Sequence, residues 1–426
     1  MKSDKQSGAH GNATGSTTPF RVELARNPEA IDAVAWNALL GRQRTPTPFM
    51  RHEYLAALHA SRSAVPATGW QPRFVLLRDG GELAAACPLY VKRHSRGEYV
   101  FDWAWADAYA RHGLAYYPKA VVAVPFTPVP GSRLLARDAA AREALVRTLI
   151  ELCEQDALSS LHILFGDPDD LQACNAAGLM ERHQVQFHWK NAIPPPSRAA
   201  HGAPTHQDRP FTDFDDFLAA LVPDKRRKIR QERRKVHDAG VRFRWAHGND
   251  ITPADWAFFY QCYERTYLEH GNLPYLSPPF FGQMARTMAA HWVLFVAERH
   301  AVPIASSLIA VTADPACTNP PNEHQTVAYG RYWGAVERVD CLHFEACYYQ
   351  PIEWCIQHGI ARFEGGAQGE HKMARALMPT ATASNHWLAH PRFAEAVQQF
   401  LTRENDAVQA YLADLRARSP LRHAAQ

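Results

Sequence analysis

Stretches with apolar residues three or four positions apart alternate with continuous apolar runs, which predicts alternating helices and strands. In the first part of the chain, helical spacing predicts helices over residues 49–60, 141–156 and 169–177. Apolar runs predict strands over residues 73–77, 83–91, 98–105, 120–125, 161–165 and 181–189. Because Asp79-Gly80-Gly81 is a tight-turn sequence, the first two of these strands are expected to form a hairpin.

The second part of the chain repeats this order of elements. Helices are predicted over residues 223–238, 253–270, 278–290 and 342–358. Strands are predicted over residues 292–297, 303–311, 326–333, 360–364 and 384–388. Pro351 is expected to kink the helix in which it lies, and Gly359 is expected to cap it. The repeated order of helix, hairpin, strand, helix and strand predicts an internal duplication of one mixed α/β unit.

Two segments without large apolar residues divide the chain. Residues 1–19 are small and polar and predict a disordered tail, whereas residues 191–209 contain three consecutive prolines and predict an extended linker. Two domains are therefore expected at residues 20–190 and 210–415, followed by a short tail at 416–426. The length of 426 residues agrees with two or three domains.

Composition excludes several classes of protein. With 46% hydrophobic and 21% charged residues the chain is ordinary for a globular protein, and no apolar run approaches the roughly 20 residues of a membrane span. The N-terminal residues lack the apolar core of a signal peptide. The eight cysteines form no C-x-x-C pair, so we expect reduced thiols and a cytoplasmic location. No histidine spacing typical of metal ligation occurs, so no metal site is expected.

One strongly basic segment stands out against the net charge of +3. The string KRRKIRQERRK at residues 225–235 predicts a helix with only a thin apolar stripe. Lys225, Arg226 and Arg230 are candidates for binding the phosphates of RNA or a nucleotide, because cationic side chains displace counterions from phosphates. The alternative is a solvated charged helix that rests on its apolar stripe.

A glycine-rich string, EGGAQGEHK at residues 364–372, follows a predicted strand. Three glycines in it permit unusual backbone angles and close approach of a ligand. Acylation of an amine needs a base, and Glu364 or His371 could serve, with Lys372 as a third catalytic candidate. Lys372 or Arg375 could also hold a carboxylate or phosphate. Glu370, at the end of the same string, is a candidate for binding substrate, as is Arg375. The alternative is a glycine turn with exposed polar residues.

Two further groups are candidates for substrate recognition. The string DWAWADAY at residues 102–109 places Asp102, Trp103 and Asp107 on a predicted strand and its following loop, where they could recognise an amine or sugar. The alternative is that the indoles are core and the aspartates cap a turn. Four more residues flank the expected ligand loop of the second domain: Arg331, Tyr332, Trp333 and Glu345.

Several strings resemble one family. The basic string at residues 224–236, the apolar helix around Tyr267 and the string GIARFEGGAQGEHKMAR at 359–375 are similar to the second half of Fem-type (FemAB) aminoacyltransferases. The strings at 102–109 and at 125–131 (PFTPVPG) look like the FemAB-like, predicted N-acyltransferase family. The resemblance implies two tandem GNAT-like domains and transfer of an acyl or aminoacyl group to an amine, linked to peptidoglycan precursors.

The sequence departs from acyl-CoA-dependent GNAT enzymes at the pyrophosphate-binding loop. The matching place in the second domain has Gly334 but a valine as its second small residue, and residues 125–131 of the first domain contain three prolines, which lack N–H donors. Resemblance to Fem-type enzymes implies aminoacyl-tRNA as the donor, with the basic helix as its candidate binding element. Acyl-CoA stays open as the other donor, and no cofactor is assigned. Two alternatives remain: an ordinary acyl-CoA-dependent transferase, and a non-catalytic GNAT-fold module that binds a cell-wall fragment or RNA.

Overall fold

The computed structural model describes residues 20–192, 209–312, 326–367 and 369–422. The strands are β1 (Arg21–Ala25), β2 (Trp70–Pro72), β3 (Phe74–Asp79), β4 (Glu82–Cys87), β5 (Leu89–Lys92), β6 (Lys119–Val122), β7 (Leu135–Ala136), β8 (Ser160–Ile163), β9 (Met180–Lys190), β10 (Val241–His247), β11 (Trp292–Arg299), β12 (Val302–Val311), β13 (Val327–Ala335), β14 (Arg362–Ala367) and β15 (Met378–Leu388). The helices are α1 (Ala33–Gly41), α2 (His52–Ala60), α3 (Trp103–Arg111), α4 (Ala139–Gln155), α5 (Pro168–Ala176), α6 (Phe214–Ala219), α7 (Pro223–Asp238), α8 (Pro253–Glu269), α9 (Pro278–Thr287), α10 (Leu342–Phe344), α11 (Gln350–Gln357) and α12 (Pro391–Ala417).

One sheet of eleven strands runs through both halves of the chain, in the order β10-β11-β12-β13-β14-β9-β15-β8-β6-β5-β2. We call residues 20–192 the N-terminal half and residues 209–422 the C-terminal half. The last strand of each half crosses to the other half: β9 pairs with β14, and β15 pairs with β8. The two exchanged strands also pair with each other, so the ladder is continuous at the junction. A separate sheet has the order β1-β3-β4-β7.

Helices cover both faces of the large sheet. On one face, aromatic side chains of the two halves pack together, with Phe49 against Tyr329 and Tyr54 against Phe280, each pair at 5.3 Å between ring centroids. On the other face, α6 and α11 cover apolar side chains such as Phe363 of β14. Burial of these apolar surfaces stabilises the contact between the halves in addition to the shared strands.

The expected mixed α/β fold is confirmed, and most elements lie where the sequence places them. The predicted helix at 223–238 coincides with α7. The predicted kink at Pro351 takes the form of a π-helical turn, Glu345–Tyr349, directly before α11, because a proline within a helix cannot donate the usual backbone hydrogen bond. Gly359 caps α11 with a positive φ of 64°.

Two predictions about elements are wrong. Residues 98–105 form no strand, since α3 begins at Trp103 and buries Trp105 and Tyr109, which are one helical turn apart. The predicted strand at 83–91 is two strands in different sheets, separated by Pro88, which cannot donate to a ladder. The tail expected at 416–426 stays a prediction; α12 ends at Ala417, and Leu421 forms a bridge with Leu221.

The domain limits stay a prediction. Residues 1–19 and 193–208, which hold the predicted tail and most of the predicted linker, lie outside the described residues. The sequence analysis also missed β1, β10, α1 and α12. In α12, four buried side chains lie on one stripe of a helix of 27 residues, namely Val397, Leu401, Leu412 and Leu415.

Gly334 lies inside β13 rather than in a ligand loop, which corrects the comparison with a pyrophosphate-binding loop. A Cβ atom at this position would overlap the carbonyl oxygen of Cys262 on α8 and lie 2.8 Å from the hydroxyl of Thr266. The glycine therefore allows α8 to pack closely on the strand. Because the obstacle is helix backbone, a side chain here forces the helix away from the sheet.

We expect Gly334→Ala to lower the free energy of unfolding by about 2 kcal/mol or more, through overpacking between α8 and β13. Gly282 of α9 is the matched control, since its nearest neighbour to an added Cβ would be the end of the Arg286 side chain at 3.5 Å. Gly282→Ala should stabilise the protein by about 0.5–1 kcal/mol through higher helix propensity. Urea unfolding measures the free energy of unfolding of both variants. Equal changes in the two variants would contradict close packing of α8 on β13 at Gly334.

Candidate functional site

A cleft of about 840 Å³ opens where two neighbouring parallel strands diverge. β13 and β14 are paired only from Val327↔Arg362 to Tyr329↔Glu364. Beyond these pairs the strands separate, and the cleft lies in the gap beside Gly330 and Gly365. Divergence of parallel strands leaves backbone groups outside the ladder, which makes such a gap suited to binding a ligand.

Both halves of the chain line the cleft. The N-terminal half contributes Tyr99, Phe101, Trp103, Phe126, Phe165, Gln184 and Gln186. The C-terminal half contributes Tyr267, Tyr275, Arg331, Tyr332, Gly366, Glu370 and Tyr411. The lining is thus rich in aromatic rings with few charged groups, and Phe126 and Tyr275 stack across the two halves at 4.7 Å between centroids.

Two glycines of β14, Gly365 and Gly366, line this gap. The register of β14 against β9 jumps from Glu364↔His188 to Ala367↔Gln186, so Gly365 and Gly366 form a bulge. Gly366 has a φ of 79°, a conformation that glycine adopts without strain. The side chain of Lys372 supports the bulge, because its Nζ donates to the carbonyl oxygen of Gly366 at 3.2 Å.

In the N-terminal half, the parallel strands β6 and β8 also diverge, but the gap between them is filled. β6 and β8 run parallel as far as Val122↔Ile163, and the amide of Leu164 then donates to the carbonyl of Val122 at 3.0 Å. Residues 125–131 fill the space beyond, and the amide of Gly131 donates to the carbonyl of Phe165 at 3.0 Å. The proline-containing segment is therefore a buried wall of the molecule.

This wall also holds the guanidinium group of Arg331, a residue that lines the open cleft. Nη2 of Arg331 donates to the carbonyl oxygen of Phe126 at 2.9 Å, and its guanidinium lies 5.3 Å from the ring centroid of Phe49. Burial alone would lower the pKa of Arg331, but the hydroxyl groups of Tyr332 and neighbouring tyrosines together raise it. Nε of Arg331 and the hydroxyl of Tyr332 are buried without a hydrogen-bond partner among the described residues. Both residues line the cleft.

Of the three predicted catalytic residues, Glu364 lies buried behind the cleft. One carboxylate oxygen accepts from Nε of Arg362 at 3.1 Å, and the other lies 3.9 Å from Nε2 of His188. His188 in turn lies 3.4 Å from Oε1 of Gln186, whose amide donates to the carbonyl of Pro128 at 2.8 Å. A row of buried polar groups therefore connects Glu364 to the cleft wall.

His371 and Lys372 lie on a short 3-10 turn, Glu370–Arg375. His371 is exposed and contacts Tyr348 rather than the cleft, with 3.4 Å between Nε2 and the hydroxyl. Burial, with the nearby cations Lys372 and Arg375, lowers its pKa. Lys372 is buried beneath the glycine bulge, and this burial lowers its pKa to about 8.

The predicted recognition residues separate into two groups. Trp103, Glu370, Arg331 and Tyr332 line the cleft. The other five residues lie elsewhere, namely Asp102, Asp107, Trp333, Glu345 and Arg375. Because residues 102–109 start a helix, Asp107 is exposed to solvent, and because strand side chains alternate, Trp333 points away from Tyr332 and packs against His343 at 5.4 Å.

Asp102, Glu345 and Arg375 take part in buried ion pairs. Asp102 pairs with Lys119 and accepts from the hydroxyl of Tyr116 at 2.6 Å. Burial alone would raise the pKa of Asp102, but Lys119 lowers it well below its usual range. The other two pairs are Arg233 with Glu345 at 3.1 Å and Arg375 with Glu232 at 2.8 Å. The first pair joins the start of α3 to β6, and the other two join α7 to the π-helical turn and to the turn at Glu370–Arg375. None of these residues lines the cleft.

The basic helix α7 forms one side of a separate groove of about 600 Å³. Five arginines line this groove: Arg226, Arg227, Arg230, Arg234 and Arg422. Arg226 donates to the carbonyl of Leu221 at 3.2 Å, Arg230 lies 3.4 Å from Asp215, and Lys225 lies outside the lining. Ile229 and Val236 are buried, as the apolar stripe predicts.

The sequence analysis missed the contribution of β9 to the cleft. Gln184 and Gln186 line the cleft, and His188 continues the same face. Polar residues at every second position of a predicted strand are the signal that could have identified them, since such residues share one face of the sheet. The aromatic residues Tyr99, Tyr267 and Tyr411 carry no comparable sequence signal.

Among the described residues, no group of three or more histidine, cysteine, aspartate or glutamate side chains could hold a metal ion. Within the same parts of the chain, no helix is long and apolar enough to cross a membrane.

Comparison with known structures supports the tandem fold. One similar structure is the crystal structure of FemX, which superposes with a TM-score of 0.51 and is 10% identical in sequence. The alignment covers 88% of this chain and 100% of the FemX chain. L-PGS from Bacillus licheniformis is 9% identical over 87% of this chain and 97% of its own, with a TM-score of 0.47. A tandem GNAT protein from the clavulanic acid biosynthesis pathway is 13% identical over 87% of this chain and 99% of its own chain, with a TM-score of 0.40. The similarity to FemX extends over both halves of the chain and agrees with the expected mixed α/β fold in two halves.

A comparison with curated proteins found no match. The sequence profile of one family, FemAB-like, described as peptidoglycan biosynthesis/recognition, matches residues 27–423. This match extends over nearly the whole chain, includes both halves, and confirms the resemblance drawn from the glycine-rich and basic strings. The chain therefore belongs to the FemAB-like family.

Proposed function

We propose that the protein transfers an acyl or aminoacyl group to an amine of a peptidoglycan precursor, within the cleft between β13 and β14. The observation that supports this most is the divergence of these strands after three paired residues, which creates the cleft of about 840 Å³. Membership of a family described as peptidoglycan biosynthesis/recognition supports the class of acceptor. The similarity in fold to FemX extends over both halves of this chain.

In the proposed reaction, the amine nitrogen attacks the carbonyl carbon of the donor. The amide bond forms, the amine loses a proton to a base, and the ester or thioester bond of the donor breaks. The donor leaves as its alcohol or thiol, which takes up that proton. Catalysis would depend on positioning of the two substrates and on donors for the oxyanion. The bulge at Gly365 and Gly366 places backbone groups outside the β9 ladder beside the cleft, where they can serve as those donors.

Residues in the cleft receive the following roles. Arg331 and Tyr332 hold an anionic or carbonyl group of the substrate through the two unpartnered buried atoms. Glu370 is the carboxylate that lines the cleft, and it is placed to accept the proton of the amine. Lys372 positions the glycine bulge, and Glu364 positions the β9 wall through His188.

The donor is proposed to be aminoacyl-tRNA, bound partly along α7. The groove lined by five arginines supports a polyanionic donor. An acyl-CoA donor is the alternative, and its binding would not need this groove. Purified protein incubated with a peptidoglycan precursor and either radiolabelled aminoacyl-tRNA or a panel of acyl-CoAs distinguishes the two. Absence of product with every donor would contradict the proposed activity.

Arg331→Gln should raise KM by roughly tenfold or more, because it removes a charge-assisted hydrogen bond from a water-poor site. Arg331→Lys should not restore binding, since an ammonium cannot reproduce the planar, stacked guanidinium. The exposed Arg338 provides the control, and Arg338→Gln should leave KM unchanged. Steady-state kinetics with the melting temperature of each variant separates a binding defect from a folding defect. An unchanged KM in Arg331→Gln would remove this residue from the site.

Glu370→Gln should lower kcat by about a hundredfold or more, because general base catalysis contributes roughly 10²–10⁴. Asp414 is the matched control: like Glu370 it contacts Arg418, at 2.8 Å, but it does not line the cleft. Asp414→Asn should therefore keep the kcat of the native protein. Single-turnover measurements at several pH values compare the two variants. Full activity of Glu370→Gln across this range would show that another group accepts the proton.

Replacing Arg226, Arg227 and Arg230 together by alanine should weaken RNA binding at least tenfold at moderate salt. The slope of log affinity against log salt should fall by about 2, since three phosphate contacts on single-stranded RNA are lost. A triple variant of Arg242, Arg392 and Arg403, which are exposed and lie outside the groove, changes the net charge equally and is the control. Filter binding over a salt series measures both. Equal losses in the two triple variants would indicate a general charge effect.

A further inference from the structure

A second cavity lies at the opposite end of the same two strands. Its volume is about 300 Å³, and it opens between the loop at residues 44–51 of the N-terminal half and the beginnings of β13 and β14. Val327 and Arg362, the first paired residues of these strands, belong to its wall. The cavity is therefore separate from the cleft, which begins after the last paired residues.

The wall of this cavity is positively charged. Three arginines line it, and none of the described residues in the lining is acidic. Each arginine has a carboxylate partner outside the lining: Arg44 with Asp169 at 3.4 Å, Arg51 with Glu53 at 2.8 Å, and Arg362 with Glu364 at 3.0 Å. A guanidinium has five N–H donors, so one carboxylate leaves other donors for the cavity side.

Two buried polar atoms in the wall have no hydrogen-bond partner among the described residues. Thr47 is 2% exposed, and its Oγ1 is one of these atoms. Although Thr47 precedes the short 3-10 helix Pro48–Met50, its side chain makes no capping hydrogen bond. Nε of Arg51 is the second unpartnered atom. Buried polar groups are nearly always hydrogen-bonded in folded proteins, so these two atoms indicate a missing polar ligand.

We propose that this cavity binds a small molecule through a phosphate group. A phosphate carries several acceptor oxygens and matches the paired donors of arginine, which suits three guanidinium groups and a hydroxyl. The volume of about 300 Å³ exceeds that of a phosphate alone and is the lower limit for small-molecule sites. The rings and methyl groups of Tyr329, Leu40 and Val327 form the apolar part of the wall, where an organic substituent fits.

The ligand of this cavity would bind both halves of the chain at once. Arg44, Thr47 and Arg51 belong to the N-terminal half, whereas Arg362 belongs to β14. Arg362 is also the ion-pair partner of Glu364, which lies two residues further along the strand towards the cleft. This binding site is independent of the proposed transferase activity, and its test needs no substrate of that reaction.

Isothermal titration of the full-length protein with inorganic pyrophosphate, at constant ionic strength, tests the site. Thr47→Val preserves the shape of the side chain and removes only the unpartnered hydroxyl, so its melting temperature should be equal to or above that of the native protein. The same variant should bind pyrophosphate about tenfold more weakly, and Arg51→Gln should bind it at least tenfold more weakly. Arg392→Gln, which changes an exposed arginine of α12, should bind as the native protein does.

Three results would overturn the proposal. The first is no heat of binding with millimolar pyrophosphate, and the second is native affinity in both Thr47→Val and Arg51→Gln. The third is a loss of affinity in Arg234→Gln with none in the cavity variants, which would assign the phosphate to the groove of α7. Titration with succinate under the same conditions tests the ligand class, and affinity equal to that of pyrophosphate would contradict a preference for phosphate.

Discussion

The structure depends on the backbone ladder between β9 and β15, the exchanged last strands of the two halves. These strands pair antiparallel from Met378↔His188 to His386↔Met180 at the centre of the eleven-stranded sheet. Without the exchange, each half would expose the edge of a sheet, which is prone to non-specific pairing. The exchange also delivers a strand of the N-terminal half to the wall of the cleft in the C-terminal half. The cleft is therefore a property of both halves together.

The two halves differ in what occupies the gap beyond their parallel strand pairs, β6 with β8 and β13 with β14. In the N-terminal half, residues 125–131 fill the gap, and the prolines there are compatible with a buried segment that needs few N–H donors. In the C-terminal half the gap is open, and the bulge at Gly365 and Gly366 lies beside it. A Cβ added at Gly366 would meet no atom within 4 Å, whereas one at Gly365 would overlap the side chain of Leu377. The segment that fills the N-terminal gap also contacts the open cleft, because the carbonyl oxygen of Phe126 accepts a hydrogen bond from the guanidinium of Arg331. One half thus acts as the wall of a site whose strands belong to the other.

Local signals in the sequence predicted local structure well. The basic string with its thin apolar stripe located α7, and the turn sequence Asp79-Gly80-Gly81 located the β3–β4 hairpin. The exchange of β9 and β15 could not be predicted, because alternation along a strand shows which face is buried and not which strand lies beside it. Arg331 and Tyr332 were predicted together with Trp333, but a register shift after Leu308 and the alternation of β13 leave only the first two in the cleft. The indoles at 102–109 were misplaced because alanine-rich alternation also fits a helix.

A crystal structure of the protein with a soluble peptidoglycan precursor would show whether the diverging strands form the substrate site. We expect ordered precursor between β13 and β14, with a polar group of the precursor within hydrogen-bond distance of Nε of Arg331. Precursor bound elsewhere, for example along α7, with the cleft between the strands empty, would contradict this expectation.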